Sequence, residues 1–242
     1  MRKILMGLLG LAVLVACDKH DPILPGVRTA VFDSTDIVVS NKSISDIPTD
    51  VIQIDNSNCK YTQDKSNTIW NGNKKIFSGF ATANSVAGNR TPICSGKYVY
   101  AGLTTGELIK INSKNRQIIW IADIYRASNL TGGASVVDIV APIIPYKNAV
   151  YVGGLGDAFC KVNANSGNKQ WCVDISVPVP FIITGQYAFV VSGDKYLNAI
   201  ATTNGEVLWR TQVAKISAPK LENGIIRVGK QQVNIADGKI IK

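Results

Sequence analysis

The sequence predicts an all-β chain, a β-propeller of about four to five blades, and three observations carry that reading. The first is a stretch, residues 141–175, in which short strand-like runs alternate with turn residues and nothing falls at helical spacing. The second is that its plan recurs: Pro142 and Trp171 lie 29 residues apart, Pro180 and Trp209 are equally spaced, and Pro92 and Trp120 lie 28 apart. The third is a glycine at one fixed place before the tryptophan, Gly167 before Trp171 and Gly205 before Trp209. Repeats of about 40 residues built from short strands point to a propeller, because one such sheet cannot bury its own faces and must stack on its neighbours.

Each part of the unit has its own warrant. Pro142 opens a strand, residues 149–153 are aromatic and β-branched as a buried strand requires, and residues 157–162 form a second run. Asn163 to Gly167 is a turn in which glycine supplies positive φ, and the run after it carries Trp171. Downstream, the copy starts at Pro180, continues through 188–192 and 196–201, turns at Thr203, Asn204 and Gly205, and reaches Trp209. Upstream, residues 98–102 and 107–111 precede a turn at 112–115 and then Trp120. A fourth copy opens at Pro219 and keeps Asp237 and Gly238 as its turn.

The series Lys161-Val162-Asn163, Gly167, Trp171 and Ala199-Ile200-Ala201, Gly205, Trp209 resembles the PQQ-like β-propeller repeat. That resemblance implies that each tryptophan docks against the neighbouring blade. Trp70, Trp120, Trp171, Trp209, Gly167 and Gly205 are then architecture rather than a site.

Arg2 and Lys3 precede an apolar run over residues 4–15, too short to span a bilayer but suited to the core of a signal peptide. Leu14-Val15-Ala16-Cys17 resembles a bacterial lipobox. It implies a signal peptide over 1–16, lipidation of Cys17, a tether over 17–27 and a repeat domain over 28–242. Acyl chains contribute about 0.8 kcal/mol per buried CH₂, so three of them make a lasting anchor. Asp18 after the cysteine leaves the inner membrane open beside the outer one.

Leu24-Pro25-Gly26-Val27-Arg28, Asn67-Thr68-Ile69-Trp70 and the dipeptide Asp138-Ile139 resemble stretches of the BamB family of outer-membrane β-barrel assembly lipoproteins. The resemblance implies a scaffold on the periplasmic face of the outer membrane, bound to the POTRA domains of the barrel-forming subunit and to unfolded barrel precursors. It points to Asp138 and Ile139, in the loop over 126–141, as partner-binding residues on a blade rim. A full member has eight blades. Only 172 residues follow Trp70, roughly four blades, so residues 71–90 read as the join where middle blades are absent. Residues 36–40 and 51–55 read as further strands.

The formal charge of +9 becomes about +7 without Arg2 and Lys3, and favours an acidic partner or an anionic surface. Scattered charge on an exported chain argues against nucleic acid. Setting Cys17 aside leaves four cysteines in an oxidising compartment. A hairpin register centred on the turn after residue 163 places Cys160 opposite Cys172 as a disulfide; Cys59 and Cys94 form a possible second pair. With one histidine, His20, placed in the tether and no Cys-x-x-Cys, the inventory offers neither a catalytic triad nor a zinc site, and no cofactor or metal is expected. Gly153-Gly154-Leu155-Gly156 leads into a strand, unlike a dinucleotide loop. The alternatives are a remnant of a PQQ-dependent dehydrogenase and a cell-wall-binding lipoprotein.

Overall fold

The computed structural model describes residues 37–82, 91–125 and 137–241. Cys17, the expected signal peptide and the tether lie outside the described residues, as does 126–136 of the loop before Asp138. Strands and turns account for the described chain, which contains no helix.

Five antiparallel sheets follow one another. The first holds β1 (Tyr61–Gln63), β2 (Thr68–Asn71) and β3 (Lys74–Ser78). The second holds β4 (Ile93–Ser95), β5 (Tyr98–Gly102), β6 (Glu107–Asn112) and β7 (Ile118–Asp123). The third holds β8 (Ile144–Tyr146), β9 (Ala149–Gly153), β10 (Phe159–Asn163) and β11 (Lys169–Val173). The fourth holds β12 (Ile182–Ile183), β13 (Tyr187–Val191), β14 (Tyr196–Ala201) and β15 (Val207–Gln212). The fifth holds β16 (Pro219–Glu222), β17 (Ile225–Val228), β18 (Gln231–Asn234) and β19 (Ile240–Ile241). Every sheet is a meander, so strands adjacent in sequence are adjacent in space. These are the blades of a propeller. Part of the region read as a join is instead β3, which pairs with β2 through Ile69↔Phe77 and Trp70↔Lys75.

The core lies between blades. Ile69 and Tyr61 of the first pack with Val99, Ile109 and Ile111 of the second. Leu108 and Tyr100 of the second meet Val150, Val152 and Val162 of the third. Phe159 and Tyr151 meet Ile183, Ala188 and Val190 of the fourth, and Phe189, Val191 and Leu197 meet Ile226, Val228 and Val233 of the fifth. A sheet covered on both faces needs an unbroken apolar run, which is why β13 reads Tyr-Ala-Phe-Val-Val. The fifth blade alternates instead. Ile226, Val228 and Val233 are buried, while Lys220, Glu222, Arg227 and Asn234 are exposed, with Arg227 and Glu222 ion-paired at 3.0 Å. Ile240 and Ile241 on β19 are exposed as well. Among the described residues no buried cluster joins the fifth blade to the first.

Residues 37–59 form a strap rather than the expected strands. Val39 makes a parallel bridge with Val207, and the Ser40 and Lys42 N–H groups donate to the Val207 and Leu208 carbonyls at 2.9 and 3.0 Å. Further on, the Ile44 N–H donates to Ala236 O and the Ile52 N–H to Ile183 O, at 2.7 and 2.8 Å. Residues 51–54 then line a cavity of about 490 Å³ together with Ile93, Ile144, Ile182 and Pro219, one residue from the first strand of each four-stranded blade. Asn56 fixes the far end, donating to Pro92 O and accepting from the Cys94 N–H.

Candidate functional site

What joins the blades is a repeated latch. Trp120 on β7 donates its indole N–H to Ala164 O at 3.2 Å, Trp171 on β11 to Thr202 O at 3.1 Å, and Trp209 on β15 to Ile235 O at 3.1 Å. Each acceptor lies in the last turn of the next blade. That turn presents its glycine to the ring: a Cβ on Gly167 would stand 2.9 Å from Trp120, one on Gly205 2.8 Å from Trp171, and one on Gly238 2.6 Å from Trp209. The three glycines have φ of 78°, 79° and 72°.

Two lysines reinforce the latch. Lys110, buried within β6, donates Nζ to the same Ala164 O at 2.5 Å and sits 3.7 Å from the centroid of the Tyr98 ring. Lys161 on β10 likewise shares Thr202 O with Trp171, at 2.9 Å. Burial draws the pKa of both below the ordinary lysine value. Sequence reasoning missed them, although a lysine inside an apolar strand such as Glu-Leu-Ile-Lys-Ile-Asn was the available signal.

Trp70 departs from the pattern. It lies on β2, donates to Asp64 Oδ2 at 3.0 Å within its own blade, and leaves the first interface to Tyr61, whose hydroxyl donates to Ser113 O at 3.3 Å. With no indole pressing there, Arg116 occupies the place of the turn glycine at φ 62°.

Cys160 and Cys172 face each other across β10 and β11 and are bonded; Cys59 is bonded to Cys94, fastening the strap to β4. Asp138 and Ile139 are not on an exposed rim. Their exposures are 0% and 3%, Ile139 belongs to the core between the second and third blades, and its N–H donates to Leu103 O. Gly154 is where the third blade meets them, since a Cβ there would stand 2.3 Å from Asp138 O. The dipeptide therefore holds two blades together, and a partner cannot reach it without opening that interface. Among the described residues no group of three His, Cys, Asp or Glu could hold a metal ion.

Among the described residues large apolar side chains are exposed at several places, including Val38, Ile47, Phe80 and the pair Ile240-Ile241 on β19, and three stand together on one strand. Ile118, Ile119 and Ile121 on β7, an outer strand bonded only to β6, are 41%, 42% and 47% exposed.

Four-stranded meanders latched by a tryptophan on the next blade's turn glycine define a β-propeller of PQQ-like repeats. A family model described as outer membrane protein assembly factor BamB matches residues 29–211, and the chain belongs to that family. It is 22% identical over 143 residues to the outer membrane protein assembly factor BamB of Alkalilimnicola ehrlichii, covering 58% of this chain and 37% of that one. To the Salmonella typhimurium protein of the same name it is 21% identical over 165 residues, covering 65% and 42%. The chain thus spans about two fifths of the length of these curated relatives. The crystal structure of BamB from Moraxella catarrhalis superposes with a TM-score of 0.53 at 14% identity, over 81% of this chain and 66% of that one. A quinohemoprotein alcohol dehydrogenase from Pseudomonas putida HK5 gives 0.53 at 14%, over 75% and 40%, which reflects the shared fold.

Proposed function

We propose that this protein is a lipid-anchored periplasmic scaffold of the outer-membrane β-barrel assembly machinery, a binding protein rather than an enzyme. The observation that carries the reading is the family match over residues 29–211. In this reading Cys17 holds the chain at the periplasmic face of the outer membrane, with the inner membrane as the alternative that Asp18 suggests. The partners are the POTRA domains of the barrel-forming subunit and unfolded barrel precursors. A propeller of short sheets offers edges and inter-blade surfaces for such contacts.

The test is affinity purification of the native lipoprotein from cross-linked envelopes, beside labelling with a clickable palmitate analogue. Recovery of the barrel subunit and labelling that Cys17→Ala abolishes are the expected results. Envelopes that yield no barrel subunit overturn the function, and equal labelling of the mutant overturns the anchor. The fold shared with the dehydrogenase gives a second reading, a quinone-enzyme remnant, for which the purified protein would carry calcium and quinone absorbance.

A further inference from the structure

The outer strands β7, β11 and β15 occupy equivalent places in three successive blades, and their registers align them residue by residue. Ile118 pairs with Ile111, Lys169 with Val162 and Val207 with Ile200, each just past the same register shift. Ile118-Ile119, Lys169-Gln170 and Val207-Leu208 are therefore the same two positions. In β11 they are polar and exposed, the usual way an open sheet edge is kept from pairing. In β15 they are apolar, 3% and 7% exposed, because the strap lies along that edge in parallel. In β7 they are apolar and uncovered, at 41% and 42%, as Ile240-Ile241 are at the same positions of β19, at 52% and 40%, so what sets β7 apart is the charge beside it.

The blade that is covered shows what fits. Ile37 and Val39, at alternate positions of the strap, pack into the cluster that contains Val207. Three residues beyond Val39, Lys42 pairs with Glu206 at 2.6 Å, just before the strand. In the second blade the turn before β7 has the opposite charge. Lys114 and Arg116 stand there, exposed, and Gln117 takes the place of Glu206.

We infer that the β7 edge is an acceptor site for an extended segment of a partner polypeptide. The segment runs parallel to β7, is apolar at alternate positions, and bears an acidic residue where the strap bears Lys42. Main-chain hydrogen bonds supply the affinity of such strand addition, and side-chain fit with the flanking charge selects the segment. The inference deepens the scaffold reading and rests on it only for who the natural partner is.

The test titrates the mature protein with two fluorescent peptides that carry the sequence of residues 37–44, one native and one with Lys42→Glu. The acidic peptide is expected to saturate, with the native one at least about fivefold weaker, as a single reversed charge near the site dictates. Ile118→Lys with Ile119→Gln, which copies the β11 edge, should weaken the acidic peptide by at least about tenfold. Because that variant could lose fold, its thermal melt is taken, and a second variant, Lys114→Glu with Arg116→Glu on the exposed turn, should reverse the peptide preference. No saturable binding, or binding that neither variant alters, overturns the inference. So does a dimer in sedimentation that Ile118→Lys with Ile119→Gln abolishes and the peptide does not displace, since the edge then serves a second copy. Recovery of the barrel subunit from envelopes tests the scaffold reading separately, so either result can fail without the other.

Discussion

Replacing Gly205 by alanine should destabilise the protein well beyond the cost of its backbone conformation. At φ 79° any L-residue incurs roughly 1–2 kcal/mol. A Cβ there would also stand 2.8, 2.9 and 3.0 Å from Cδ2, Cε3 and Cγ of Trp171, so the ring must move. Moving it strains the packing between the third and fourth blades by about 1–3 kcal/mol. It also lengthens the 3.1 Å bond to Thr202 O, which contributes about 1 kcal/mol. The total is about 3–6 kcal/mol, or roughly 10–20 °C in Tm for a chain of this size. Gly96→Ala is the control, because Gly96 also has positive φ, at 57°, and nothing lies within 4 Å of the added carbon. It should lower Tm by only about 4 °C. Thermal and urea unfolding of both variants measure the difference. Adding Trp171→Leu to Gly205→Ala should cost less than the two changes summed, since the ring that clashes is then gone. Equal losses for Gly205→Ala and Gly96→Ala, or strict additivity with Trp171→Leu, would refute the latch as the source of the effect.

The two disulfides should differ in weight. Cys59 and Cys94 are 35 residues apart and Cys160 and Cys172 only 12, so the chain-entropy model gives about 4 kcal/mol for the strap bond and about 3 kcal/mol for the hairpin bond. Urea midpoints of Cys59→Ser with Cys94→Ser and of Cys160→Ser with Cys172→Ser should fall in that order. Alkaline pH supplies another check. Burial, with Tyr98 adding to it, pushes the Tyr100 phenol up to about 12. The folded state keeps this proton where the unfolded chain releases it near pH 10, so the contribution is intact below about 10 and lost as pH rises toward 12. A Tyr100→Phe variant should lose less stability than wild type across that window, as followed by circular dichroism.

The repeat was legible because burying both faces of a sheet forces residue choices that survive in one dimension. Residues 149–153 and 98–102 read as strands and are β9 and β5. The turn glycines stand out because the ring above them admits no Cβ. What misled was position without context. Trp70 has the neighbours of a latch tryptophan in sequence, yet it lies on the second strand of its blade and turns to Asp64. Residues 51–55 alternate like a strand, but they touch the fourth blade through the Ile52 N–H to Ile183 O bond without forming a ladder, beside the cavity between first strands. Asp138 looked like a rim residue because it stands in a loop just before a blade's first strand, while its 0% exposure goes with the approach of Gly154, a contact between residues that sequence spacing does not pair. The β7 edge escaped notice altogether. Its isoleucines are ordinary strand residues until they are compared with the same positions in β11 and β15.

The strap also sets how the domain would bear mechanical load. A pull on the chain ahead of residue 37 reaches the fourth blade first, at Val39, then the fifth through Ile44, then the fourth again through Ile52. Those hydrogen bonds act one after another, so tension would peel them singly rather than shear them together. The peel ends at Cys59, where a covalent bond passes the force into β4. With that bond oxidised, the first blade, which follows in sequence, carries none of the tension. With it reduced, the same pull continues into β1 and draws on the Tyr61 contact that joins the first two blades.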